Sequence, residues 1–101
     1  MTSLDELRAK RDIWPTVAAA IPQATELAHA ALDDVLSHPE LLEHLERKFR
    51  KGEVEHDRAW LKTDGDPSWL ILEAAEEILD FVLYQAMFVV LTDCKRAEAA
   101  E

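Results

Sequence analysis

The sequence predicts an all-α protein: a small bundle of three to four helices, completed by oligomerisation through its C-terminal helix. Three observations carry this. Chain breakers are scarce, with Gly used twice and Pro four times in 101 residues, whereas the strong helix formers Ala, Leu and Glu abound. Between the few breakers, apolar residues recur at three- and four-residue spacing. Residues 81–91 then form an apolar run interrupted only by Gln85. A helix apolar on nearly every face is buried on nearly every face, and three or four short helices cannot easily surround it, so a second subunit is expected to supply cover.

The elements follow in order. Ser3 with Glu6 is a capping-box pattern that starts a short helix through about Asp12. Trp14-Pro15 breaks the register, and Thr16 to Ile21 reads as a helical turn or a loop. Pro15 and Pro22 both suit a first helical turn, where a missing N–H costs nothing. The next helix is read from about Pro22 to Ser37, with Leu27, Ala31 and Val35 on its apolar face, joined by Ala24 and Ala28. Residues 1–21 are thus read as an N-terminal arm or short helix, and 22–95 as the helical core of a single domain.

Ser37-His38-Pro39 is a stop and a restart, with Pro39 at the first position of a helix carrying Leu41, Leu42, Leu45 and Phe49. Gly52 either ends that helix or is tolerated in a longer one reaching about Leu61. Thr63-Asp64-Gly65-Asp66-Pro67 is the clearest loop, with Asp66 set to cap, and Pro67 to open, a last helix running to about Lys95. Met87 in its apolar half is expected in the core. Residues 96–101 are expected to fray.

The formal net charge is −10, from 21 acidic against 11 basic residues. Such a surface repels phosphate backbones, so direct nucleic-acid binding is not expected. It suits divalent cations or a basic partner protein. The single cysteine, Cys94, permits no internal disulfide and no cysteine-based zinc site, and it looks incidental. Residues 1–10 hold no apolar run, and 81–91 is shorter than the roughly 20 residues of a membrane span. A cytoplasmic location is the expectation.

The chemistry-bearing pattern is acidic. Glu73, Glu77 and Asp80 share one helical stripe that Tyr84 extends, and Glu40, Glu43 and Glu46 make a second ladder. If the two helices pack antiparallel, Glu43 and Glu46 face Glu77 and Asp80. Four carboxylates so placed repel one another unless a cation such as Mg²⁺ relieves them, and Mg²⁺ takes oxygen ligands in octahedral geometry. Arg50 and Lys51, in the chain's dense basic cluster, would then meet a phosphate tail. A solvated helix face is the competing reading, because an acidic helical chain makes Glu-x-x-Glu pairs by composition alone. Against it, Glu77 and Asp80 stand at the entrance to the most apolar segment.

Lys51-Gly52-Glu53-Val54-Glu55-His56-Asp57, followed after a loop by Glu76-Glu77-Ile78-Leu79-Asp80 and Tyr84, resembles the all-α NTP pyrophosphohydrolases of the MazG-like group, in particular their small phage-type relatives. The resemblance spans about Glu40 to Leu91. It implies a helical bundle built as a dimer or tetramer, Mg²⁺ at the carboxylates, and cleavage of a nucleoside triphosphate to monophosphate and pyrophosphate. Carried over by position, Glu43 and Glu46 match the first acidic pair and Glu77 and Asp80 the second, with Glu53 and Glu55 competing for the first. All four are then metal ligands, and Glu46, Glu77 and Asp80 are the catalytic candidates. Arg50, Lys51 and Tyr84 are the candidates for contact with the nucleotide.

His44 and His56 flank the basic cluster as base or surface residues, while His29 and His38 lie elsewhere. Trp14, Trp60 and Trp69 can stack a nucleobase or anchor a core. No Ser-His-Asp grouping and no Gly-rich phosphate loop is visible. The alternatives to a hydrolase are a non-enzymatic acidic helical binder of a basic host partner, and an oligomeric assembly protein.

Overall fold

The computed structural model describes residues 2–57, 59–61 and 66–100. Among these the chain is all-α: α1 (Leu4–Ala9), α2 (Trp14–Leu36), α3 (Leu41–His56), a 3₁₀ turn at Ala59–Leu61, and α4 (Ser68–Ala99), with no strand. Thr63, Asp64 and Gly65 of the expected loop lie outside the described residues. No described helix is long and apolar enough to cross a membrane.

α1 starts where the capping box places it: Ser3 Oγ accepts the Glu6 N–H at 3.1 Å. It stops at Ala9, earlier than Asp12. Asp12 instead serves the next element, its Oδ1 accepting the Trp14 N–H at 3.0 Å.

α2 corrects the reading most. It begins at Trp14, with Pro15 in its first turn, and runs through Pro22 without ending. Thr16 to Ile21 is therefore helix, and Pro22 lies inside rather than at a start. Pro22 cannot donate to the carbonyl one turn back, which alone disfavours helix there. Packing prevails over that local penalty. Val17, Ala20, Ala24 and Ala28 form one buried face that continues on both sides of Pro22, whose ring points to solvent. Of the expected face, Ala24 and Ala28 are buried, Leu27 and Ala31 half-buried, and Val35 exposed.

α3 starts at Leu41 with Glu40 as its cap residue, so Pro39 precedes the helix rather than opening it. The turn between is held by His38 Nδ1, which accepts the Glu40 N–H at 3.0 Å. Gly52 is tolerated inside α3. The helix ends at His56, followed by Asp57 in the left-handed region at φ 45°, which an aspartate tolerates better than most residues.

α4 begins at Ser68 with Pro67 in the cap position, so Pro67 precedes the helix rather than opening it and Asp66 lies one residue before the cap. Asp66 Oδ1 accepts the Ser68 N–H at 3.0 Å, and hydrogen bonds from the Ser68 backbone and side chain hold the Asp66 carboxyl below its ordinary pKa. α4 continues through Ala99, past the expected fraying point, because Ala97 is buried and α1 packs on that end.

The core is narrow and built from small side chains. The first half of α2 (Val17, Ala20, Ala24) meets the second half of α4 (Ala86, Val89, Val90, Cys94), with Leu4, Leu7 and Leu83 at the margin. Cys94 belongs to this core, 3% exposed, so it is not incidental to packing. Met87 is not core, standing 47% exposed. Only the Ala86–Val89–Val90 face of the 81–91 run is buried; Phe88 and Leu91 on the remaining faces stay exposed.

Candidate functional site

α3 and α4 approach where the C-terminal end of one meets the N-terminal end of the other. A cavity of about 420 Å³ opens there. Phe49, Gly52, Glu53 and His56 of α3 line one side, Trp69 and Glu73 of α4 the other, and Trp60 of the 3₁₀ turn closes the end. The spacing explains the wall: residues 49, 52, 53 and 56 follow the three- and four-residue rhythm of one helical face. Trp60 sits edge-on to Phe49, with ring centroids 6.4 Å apart and planes at 67°, an arrangement aromatic rings favour. Gly52 leaves the wall low, since an added Cβ would meet nothing within 4 Å.

The cavity thus combines three aromatic rings with one carboxylate from each helix. Flat rings offer stacking surface to a planar ligand, and carboxylates accept hydrogen bonds or coordinate a hard cation. Glu73 also heads the α4 stripe that runs on through Glu77, Asp80 and Tyr84, all exposed. Among the sequence candidates, Trp60 and Trp69 reach this cavity and Trp14 does not. Glu53 came from the competing pair. Phe49 and Glu73 were visible only as members of helical faces, because their meeting depends on how α3 and α4 are placed, which no local pattern encodes.

The other candidates lie as follows. Glu43 and Glu46 are exposed on α3, and Glu77 and Asp80 are exposed on α4. Among the described residues of one chain, no three of these four bring ligand oxygens within 4.8 Å of one another. α3 makes no extensive contact with α4; the extensive helix contact is that of α2 with α4. Arg50 is engaged locally, its Nη2 lying 3.5 Å from Glu46 Oε1, and Lys51 Nζ lies 3.9 Å from Glu55 Oε1. Both contacts are solvent-exposed side-chain pairs that a stronger anion can displace.

No known protein family, curated protein or solved structure matches the chain.

One described group does bring three donor side chains together: His38, Glu40 and His44. The two rings meet edge-on at 5.3 Å, and His44 Nε2 lies 4.0 Å from Glu40 Oε2. Yet His38 Nδ1 already accepts the Glu40 N–H, which in a neutral ring puts the proton on Nε2. The arrangement is accounted for as a turn that launches α3.

Proposed function

We propose that the chain is a Mg²⁺-dependent nucleoside triphosphate pyrophosphohydrolase of the MazG-like type, acting as an oligomer joined through its C-terminal helix. The cavity between α3 and α4 carries this reading: three aromatic rings and the Glu53 and Glu73 carboxylates open onto one space at the head of the Glu77–Asp80 stripe. The donor set fits Mg²⁺, being all carboxylate oxygen and open enough to solvent for the ion to keep several waters. Held there, Mg²⁺ would supply Lewis-acid chemistry for a phosphate substrate.

The residues then divide the work. Trp60, Trp69 and Phe49 hold the base by stacking. Glu77 and Asp80 would hold the metal, joined by Glu43 and Glu46 of α3 if assembly brings them near. Either Glu46 or a carboxylate of the α4 stripe accepts the proton of the attacking water. Arg50 and Lys51 release their local partners to neutralise the phosphate tail. Water adds across the α,β-phosphoanhydride, and pyrophosphate leaves with the electrons of the broken P–O bond. Steady release of pyrophosphate from a dNTP and NTP panel, abolished in Asp80→Asn with helical content intact, is the expected result. Turnover undiminished in that variant would contradict the assignment.

The exposed apolar side chains favour a second reading, a non-catalytic helical binder steered to a basic partner by the charge of −10. It predicts no rise in melting temperature with Mg²⁺, whereas a site formed only in the folded state raises it.

A further inference from the structure

The aromatic residues of the cavity between α3 and α4 stay accessible to solvent. Phe49 is 52% and Trp60 44% exposed, and Trp69 is half-buried. The face of an aromatic ring carries partial negative charge and attracts cations. The Phe49 and Trp60 planes, at 67° with centroids 6.4 Å apart, form a corner. A cation seated in that corner can lie within the roughly 6 Å of both centroids over which the attraction acts. Trp69 adds a third ring from the α4 side.

The charges around these rings have the matching sign. Glu53 and Glu73 stand on opposite sides of the cavity, and no lysine or arginine is among the described residues that line it. His56, the one lining residue able to become a cation, lies 3.9 Å from Glu55 Oε2. The chain as a whole carries −10, which concentrates cations near its surface. The rings also select among cations. They are poor hydrogen-bond acceptors, so an ammonium bearing N–H groups loses water there that the ring sides cannot replace. A quaternary ammonium has no N–H to satisfy, and its methyl groups pack directly on the rings.

We propose that this cavity binds a quaternary ammonium group, held against the faces of Phe49, Trp60 and Trp69 and balanced in charge by Glu53 and Glu73. This goes beyond the hydrolase reading and needs neither metal nor nucleotide. A nucleobase stacked on the same rings would compete with the ammonium group. The group arrives either on a free choline-like molecule or as a trimethylated lysine of a basic protein. The chemistry recognised is the same in both cases.

Titration calorimetry of the full chain, without nucleotide or Mg²⁺, tests this with choline and two analogues. The carbon isostere of choline, a tert-butyl alcohol of the same outline, keeps the shape and lacks the charge. Ethanolamine keeps the charge and lacks the methyl groups. Choline should bind about tenfold or more tighter than either, the scale of one cation shared by two or three rings, and salt should weaken it. Trp60→Leu and Glu73→Gln should each weaken choline about threefold or more. Trp14→Leu should leave it unchanged, because Trp14 does not line the cavity. A trimethyllysine peptide run beside its unmethylated form identifies the source: a gain on methylation larger than choline's advantage over ethanolamine places the group on a basic protein, and a smaller one places it on a free molecule. No binding by choline or the methylated peptide, choline no tighter than either analogue, or affinity indifferent to both cavity variants would overturn the proposal. If Trp60→Leu fails to fold, Glu73→Gln and the analogue series decide. Because no turnover is read, failure here leaves the hydrolase standing, and choline binding without turnover sinks only the hydrolase.

Discussion

The backbone N–H of Leu4 donates to Glu98 Oε1 at 3.2 Å, joining the two ends of the chain across 94 residues. Leu4 is the first residue of α1, so its N–H has no partner within the helix, and a carboxylate at a helix N-terminus also opposes the dipole favourably. With Leu4 and Leu7 lying against the core, this contact seats α1 on the end of α4. Glu98→Ala should cost about 0.5–1 kcal/mol. Amide exchange would quicken in α1 and in residues 96–99 while the α2–α4 core stays protected; uniform loss of protection would contradict a local clasp.

Ala24 and Ala86 are both 0% exposed and mark the closest packing of α2 on α4. A larger side chain there has nowhere to go. Ala86→Leu should destabilise by about 1–3 kcal/mol through overpacking, measured by urea unfolding, whereas Ala74→Leu on the exposed part of α4 should be close to neutral.

Pro22 interrupts the hydrogen-bond ladder of α2 at a solvent-facing position. Pro22→Ala restores a donor to the Ala18 carbonyl and improves helix propensity, so a gain of about 1–2 kcal/mol is expected. A loss would mean that the ring shapes the helix in a way the α2–α4 packing requires.

The Asp66 carboxyl, receiving hydrogen bonds from Ser68, has its folded-state pKa lowered. The sign follows from linkage: its stabilising contribution is present above the ordinary aspartate pKa and fades as pH falls through the lowered one. The melting-temperature gap between wild type and Asp66→Ala should therefore be widest near neutrality and shrink in acid. A gap that grows on acidification would contradict this.

What was legible in the sequence was local. Ser3 with Glu6 is a side-chain-to-backbone cap that a few residues encode by themselves, and α1 starts where that cap places it; α4 starts at Ser68, one residue later than Asp66-Pro67 implies, with Pro67 in the cap position. Pro22 misled because its cost is local while the burial of Ala20 and Ala24 that offsets it comes from α4, far along the chain. The 81–91 run misled differently. Its apolarity implied burial throughout, but one helix packed on one side covers only the face holding Ala86, Val89 and Val90. As for the candidate site, the α4 stripe was readable as periodicity. The cavity was not, because Glu53 and Trp69 line one space only through how α3 and α4 are placed.

The proposed hydrolase would split a nucleoside triphosphate at its α,β-linkage, using the carboxylates and rings of α3 and α4. Following a dNTP by phosphorus NMR, with wild-type protein and Mg²⁺, tests it most directly. Monophosphate and pyrophosphate appearing in equal amounts is the predicted result. Diphosphate with inorganic phosphate, or a spectrum unchanged for every nucleotide tried, would contradict it.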